Sequence, residues 1–230
     1  DGTYNPAGFE VLAASDFDGL EADPQWLLEN KYTAFDHYSL PLEQHNVNGQ
    51  YISTRSDVAE DRFKVAGAVN ARYVEMAYSG FEYAMSQAEP YEDITLSGAS
   101  GVSVSTSFWH TGYRSVEALP SAEPIVSYQI PAGELLASKN FRASVWVRTA
   151  SGDVPDVRLR GGSTGGVMFT ATADEQEHNQ AGWYLVKLNF FVQASQGLSL
   201  SVFSDDDEPI YIDDIRLHPL EASMNSYVYD

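Results

Sequence analysis

With 230 residues, 43% of them hydrophobic and 13% aromatic, the chain has enough apolar side chain for one or two sizeable cores, which excludes a disordered chain. Its 33 acidic against 13 basic residues give a formal charge of −20. That charge repels phosphate backbones and anionic membrane surfaces, so nucleic acid is excluded as a partner, while the same acids are a supply of hard oxygen ligands for calcium. The absence of cysteine excludes disulfides and thiolate metal sites, and no apolar run reaches the roughly 20 residues of a membrane-spanning helix.

Taken in chain order, residues 26–35 and 42–54 read as two extended runs around the turn-prone Asp36, His37, Tyr38 and Ser39, a β-hairpin region within a first segment of residues 1–73. A short amphipathic helix is predicted around residues 64–72. From Phe81 onward apolar and polar residues alternate with period two between clusters of Gly, Pro, Ser and Asp, the pattern of an antiparallel sandwich. The clearest predicted strands are residues 141–148, 156–160, 183–192, 197–203 and 210–217, with turn chemistry at 150–153, 160–166 and 205–209. The glycine-rich 160–166 stretch lacks the Gly-Lys-Ser/Thr ending of a phosphate cradle and is expected to be a flexible loop. Residues 226–230 read as a strand with nothing after it to pair with, as in a piece cut from a longer chain.

Signals for catalysis are weak. There is no cysteine and no Gly-x-Ser-x-Gly elbow for nucleophilic chemistry, and the five histidines lack metal-ligand spacing on a helix. With 33 acids, a pair of carboxylates spaced for glycoside hydrolysis carries no information by itself.

Binding is more legible. Alternation places Arg142, Ser144, Trp146 and Arg148 opposite Phe141, Ala143, Val145 and Val147, and Arg158 and Arg160 opposite Val157 and Leu159. If these strands are neighbours, four guanidinium groups and an indole share one sheet face, suited to a sugar carrying carboxylate or sulfate groups. The alternative is that the arginines pair with the domain's own acids and that Trp146 is core. Trp109, beside Phe108, is a second possible sugar platform. On residues 210–217, Tyr211, Asp213, Ile215 and Leu217 are expected to share the core face. That would carry one carboxylate inward, where it needs a cation, unless the paired acids simply guard a sheet edge.

Three motifs in order, Gly80-Phe81-Glu82, His110-Thr111-Gly112-Tyr113-Arg114-Ser115 and Tyr211-Ile212-Asp213-Asp214-Ile215-Arg216-Leu217, make residues 74–219 resemble the jelly-roll carbohydrate-binding modules. The resemblance implies an all-β, galactose-binding-like jelly-roll sandwich with a structural calcium ion. Its ligands would be the carboxylates of Glu82 and Asp213, with Asp214 beside them, and backbone carbonyls of the turn at His110, Gly112 and Arg114. It also matches Trp146 and Trp183 to aromatic positions of inner strands.

Tyr32-Thr33-Ala34-Phe35-Asp36, with Leu42-Glu43, Asn48-Gly49 and the terminal Tyr227-Val228-Tyr229-Asp230, resembles the Tyr-Asp (RHS-like) hairpin repeats of very large bacterial secreted or surface proteins. The lead-in at 68–75 resembles surface proteins of the Bacteroidetes type. On these resemblances residues 220–230 open a following repeat segment. The expected function is that of a non-catalytic, calcium-stabilised carbohydrate-binding or adhesion module, secreted or on a bacterial cell surface, without membrane insertion. Its partners would be a polysaccharide or cell-surface glycan, anionic where the arginine face is the site, and neighbouring domains of the same polypeptide. The other readings are a structural spacer in a repeat protein and a jelly-roll hydrolase or lyase.

Overall fold

The computed structural model describes residues 30–36, 39–56, 63–82, 94–96 and 101–228. Apart from a single 3-10 turn at Tyr73–Glu75, its regular elements are strands. They are β1 (Asn30–Phe35), β2 (Pro41–Asn46), β3 (Tyr51–Ser56), β4 (Lys64–Val69), β5 (Ala77–Ser79), β6 (Ile94–Leu96), β7 (Val102–Ser105) and β8 (Ser115–Ala118). The series continues with β9 (Ser121–Ile130), β10 (Lys139–Thr149), β11 (Val157–Ser163), β12 (Met168–Thr172), β13 (Tyr184–Val192), β14 (Leu198–Ser204), β15 (Ile210–Pro219) and β16 (Ser223–Ser226). No helix among the described residues is long and apolar enough to cross a membrane.

Period-two alternation gives each long strand one apolar face, and such a face has to be buried against another. Two sheets do this for each other. The first has the order β13-β10-β15-β8-β7, with β5 also on β15, and the second β12-β11-β14-β9-β6. From β8 to β11 and from β12 to β15 successive strands switch sheets, the wrapping of a jelly roll. The core between them is aliphatic-aromatic: Phe141, Ala143, Val145 and Val147 of β10 pack with Val157 and Leu159 of β11 and Leu198, Leu200 and Val202 of β14.

Two expectations are corrected in this sandwich. Gly161 and Gly162 are not in a flexible loop but inside β11, where the ring of Phe190 on β13 packs against Gly161 and the Val167 carbonyl and Met168 crowd Gly162. A Cβ on Gly161 would lie 2.6 Å from that ring, so the strand needs glycine there. In β15, Ser144 faces Arg216 and Trp146 faces Asp213, so one residue of β10 is opposed by two of β15. This β-bulge reverses the alternation. Ile210, Ile212, Ile215 and Leu217 enter the core, while Tyr211 and Asp213 point out of the sandwich instead of sharing a face with Ile215 and Leu217.

A third sheet, β1-β2-β3-β4-β16, is built from both ends of the described chain. β16 runs antiparallel to β4, with Met224 opposite Ala68, and the Tyr227 N–H donates to the Val65 carbonyl at 2.8 Å. The stretch expected to lack a pairing partner therefore begins in a strand that closes the N-terminal sheet. The helix expected at residues 64–72 is corrected by the same contact. β4 is a central strand whose small Ala66 and Ala68 lie on the buried side, and pairing on both edges overrides the helix preference of alanine.

This sheet is sealed onto residues 71–78, the lead-in to the sandwich. Ser53 Oγ donates to the Ala71 carbonyl at 2.8 Å and the Tyr73 N–H donates to Glu43 Oε2 at 2.6 Å. Arg55 Nε donates to the Met76 carbonyl at 2.8 Å, and its guanidinium lies 4.4 Å over the Tyr73 ring.

Candidate functional site

The bulge in β15 aims two consecutive carboxylates at the segment between β7 and β8, with Asp214 in the left-handed region at φ 48°. Asp213 Oδ2 accepts the backbone N–H groups of His110 and Thr111 at 2.8 and 3.2 Å, and Asp213 Oδ1 accepts the Asp214 N–H at 2.7 Å. Asp214 Oδ1 accepts the Tyr78 hydroxyl at 2.7 Å. Its Oδ2 accepts from His110 Nδ1 at 2.7 Å and from the Thr111 hydroxyl at 3.0 Å. Glu82 takes the other end of the loop, accepting the N–H groups of Tyr113 at 2.9 Å and Arg114 at 3.2 Å. Gly112 sits between these anchors at φ 67°, where a Cβ would fall 2.1 Å from Glu82 Oε1. Only glycine suits both the backbone and the space.

Burial, then the charge of Asp214 beside it, pushes the Asp213 carboxyl up to about 8. Burial also acts to raise Asp214, but hydrogen bonds from His110, Tyr78 and Thr111 outweigh it and hold that carboxyl below its ordinary range. Burial raises Glu82 against the pull of its two backbone donors, and burial followed by Asp214 raises the Tyr78 hydroxyl.

Glu82, His110, Gly112, Arg114, Asp213 and Asp214 do come together around one loop. The groups that face Glu82 and Asp213 are backbone N–H groups of residues 110, 111, 113 and 114. Among the described residues no group of three His, Asp or Glu side chains is arranged to hold a metal ion.

Residues 106–114 form a lid on the outer face of the first sheet. The His110 ring stacks on Trp146 at 4.0 Å between centroids and meets Trp183 edge-on at 5.8 Å. Phe108 packs edge-on to Tyr211 at 4.9 Å and lies under the Arg148 guanidinium at 4.3 Å. Trp146 is therefore a floor beneath His110, not an open platform, and Trp183 is buried under the same loop rather than in the main core. What the loop leaves outside is Trp109, 43% exposed, and Tyr113, 57% exposed, with ring centroids 6.4 Å apart.

The single arginine face is corrected. Arg142, Trp146 and Arg148 lie on the outer face of the first sheet, whereas Arg158 and Arg160 lie on the outer face of the second, across the core. β10 and β11 are consecutive in sequence but belong to different sheets. Arg158 Nη2 donates to Asp205 Oδ1 at 2.7 Å, and Arg158 and Arg160 both lie 5.5 Å from the Phe203 ring centroid. The buried Nε of Arg148 has no hydrogen-bond partner among the described residues.

Sequence reading missed the basic partners that β13 and β15 bring to Arg142. His218 stands directly opposite it, while Lys187 and Arg216 flank the next outward position, Ser144. Alternation in residues 210–217 would have found them once the bulge was known. Burial lowers the His218 pKa, with the positive charges of Arg142 and Arg216 acting the same way against the bond its Nδ1–H gives to the Pro219 carbonyl. The unfolded chain, with histidine at its ordinary 6.5, then takes up a proton first. Stability from this residue is complete above that pH and is lost as pH falls through the window down to the depressed folded value. In urea denaturation at successive pH values, His218→Gln should flatten this acid-side loss relative to the parent chain. Parallel curves for the two proteins would refute the assignment.

No protein-family model matches the chain, and no curated protein does. Among solved structures it is similar to the CBM22-1 xylan-binding domain of Paenibacillus barcinonensis Xyn10C, at 15% identity and a TM-score of 0.43 over 64% of this chain and 95% of that one. It is also similar to the C-terminal family 22 carbohydrate-binding module of Clostridium thermocellum Xyn10B, at 15% identity and 0.44 over 63% and 94%. TmCBM61 in complex with beta-1,4-galactotriose matches at 13% identity and 0.36 over 63% and 88%. At such identities and superpositions no ligand and no site residue passes from these proteins to this chain.

Proposed function

We propose that the chain is a non-catalytic carbohydrate-binding module of a secreted or surface protein, with Trp109 and Tyr113 as its sugar platform. The observation that supports this most directly is the exposure of both rings on a loop whose backbone is fastened at one end by the buried Asp213 and at the other by the half-buried Glu82. Exposed rings on a mobile loop would lose entropy on binding, whereas rings on a fastened loop are preorganised for the C–H faces of a pyranose. Glu82, Asp213 and Asp214 are all engaged with N–H or O–H donors of the loop and of Tyr78, which supports an anchoring rather than an acid-base role. Trp109→Ala is expected to weaken binding to the polysaccharide found on a glycan array by about tenfold or more, the scale of losing a central aromatic anchor. The melting temperature should be unchanged, since the ring packs on the surface. Unaltered affinity would remove the platform, and an array without any ligand would leave the spacer reading.

We also propose calcium as the stabilising ion of this loop, held by Glu82 and Asp213. Three carboxylates, hard oxygen donors, gather beside one loop, and burial followed by the charge of Asp214 disfavours the charged form of Asp213; to hold the ion, Glu82 and Asp213 would have to exchange the loop N–H groups they now accept for the cation. A bound cation would offset that charge and stiffen the turn. Stripping calcium with a chelator should then lower stability by about 2.7 kcal/mol if the ion had been present at a hundredfold its Kd. A melting temperature indifferent to the chelator, with metal removal verified by elemental analysis, would rule the ion out.

A further inference from the structure

The outer face of the first sheet has a second feature, at the end of β10 away from the aromatic loop. A cavity of about 340 Å³ opens between the N-terminal sheet and the sandwich, lined by Asn70, Ser138, Asn140, Phe191, Leu220 and Glu221 among others. Phe191 is 44% exposed and stands opposite Asn140 across the strand pair. Outward side chains along β10 repeat every two residues, about 6.8 Å apart. The next step from Asn140 is Arg142, with Asn189 and His218 beside it, and the one after is Ser144, with Lys187 and Arg216 beside it. Four of the chain's basic groups thus line two adjacent rows that lead out of the cavity.

Their pairing is unusual for so acidic a chain. With 33 acids to 13 bases, a basic side chain kept only for structure has many carboxylates to choose from. Lys187 takes one, Glu177, at 2.8 Å. Arg142 Nε donates instead to the neutral amide oxygen of Asn189 at 3.1 Å, and Arg216 rests 5.7 Å from the Tyr78 ring centroid. Neither guanidinium forms an ion pair with a carboxylate among the described residues. Two arginines held without a counter-anion, beside a histidine whose lowered pKa keeps it neutral at neutral pH, leave a local positive potential on an otherwise negative surface. A planar guanidinium is well matched to carboxylate or sulfate.

We infer that this cavity and the Arg142, Arg216 and His218 row beside it form a binding site for an anionic glycan, one sugar ring lying against Phe191 and its carboxylate or sulfate group meeting the two arginines. The inference rests on the proposed carbohydrate-binding function and adds a second subsite of defined charge, distinct from the Trp109 platform. Glu221 and Asn140 in the cavity wall accept hydroxyl donors, and the acid group itself is placed on the arginine side, away from Glu221.

The test is calorimetric titration of the full chain with polygalacturonate, a sulfated galactan and a neutral galactan. At least one of the two charged polymers should bind about tenfold tighter than the neutral one, and the one that does separates carboxylate from sulfate recognition. The double variant Arg142→Gln/Arg216→Gln should erase that advantage, and Phe191→Ala should weaken the same polymer. If Arg216→Gln unfolds the half-buried position, the exposed Arg142→Gln alone should still cost about fivefold. Charged polymers bound no better than the neutral one, or bound unchanged by Arg142→Gln with the fold intact, would overturn the inference. Binding that is lost in Trp109→Ala but indifferent to the arginines would overturn this subsite while leaving the module reading in place. Absence of binding to every glycan tested would overturn both.

Discussion

Asp214→Ala is expected to lower the unfolding free energy of the sandwich by about 3–5 kcal/mol, read from urea denaturation followed by tryptophan fluorescence. Asp214 is 1% exposed and accepts from the Tyr78 hydroxyl, His110 Nδ1 and the Thr111 hydroxyl. Alanine leaves those three donors without their acceptor, each at about 1–3 kcal/mol before water enters the space and recovers part of it. The effect should reach the proposed platform as well. His110 loses the bond that sets its ring on Trp146, the lid loosens, and Trp109 and Tyr113 are no longer held in fixed relation. Asp213 should then titrate lower, because the second largest cause of its raised pKa is the charge of Asp214. A loss below about 1 kcal/mol would mean that solvent already satisfies these donors and that the loop is not anchored as described.

The sequence was legible wherever a residue's environment is decided by its own strand. Phe141, Ala143, Val145 and Val147 alternate with polar neighbours and are core in the structure. The predicted strands at 183–192, 197–203 and 210–217 correspond to β13, β14 and β15 with small shifts at their ends. Legibility ended where a distant element decides. Nothing around Asp213 and Asp214 marks the bulge except that Asp tolerates positive φ, yet it exchanges the faces of everything that follows. Gly161 looked like loop because the reason for it, the Phe190 ring, lies almost thirty positions later. The arginines were assigned correctly strand by strand, but consecutive strands of a jelly roll switch sheets, so β10 and β11 turn theirs to opposite sides. Glu82, His110, Gly112, Arg114, Asp213 and Asp214, expected as calcium ligands, could be listed from sequence as neighbours. That they meet the loop through its N–H groups, and that His110 roofs Trp146, depends on contacts between segments far apart in the chain.

Arg55→Ala should cost about 3–5 kcal/mol as well, but in a different part of the molecule and with a different denaturation profile. Arg55 lies on the inner side of the N-terminal sheet at 0% exposure, with Nε on the Met76 carbonyl at 2.8 Å and Nη2 on the Tyr73 carbonyl at 3.3 Å. Its guanidinium also covers the Tyr73 ring. Hydrogen bonds to a charged donor contribute about 1.5–3 kcal/mol each, and alanine removes the donor while opening a cavity the small side chains of β4 cannot fill. The core cluster of this unit is only Val65, Ala66, Ala68, Ala71, Met76 and Tyr78, far smaller than that of the sandwich. Beside this small cluster, Arg55 shares the task of holding the sheet on residues 71–78 with the Ser53–Ala71 and Glu43–Tyr73 hydrogen bonds. In the variant, far-UV circular dichroism should report an early transition as the N-terminal sheet and β16 separate. The fluorescence of Trp146 and Trp183, both in the sandwich, should stay near its parental midpoint. A single coincident transition by both probes would show instead that the three sheets unfold as one cooperative unit, with Arg55 contributing to all of it.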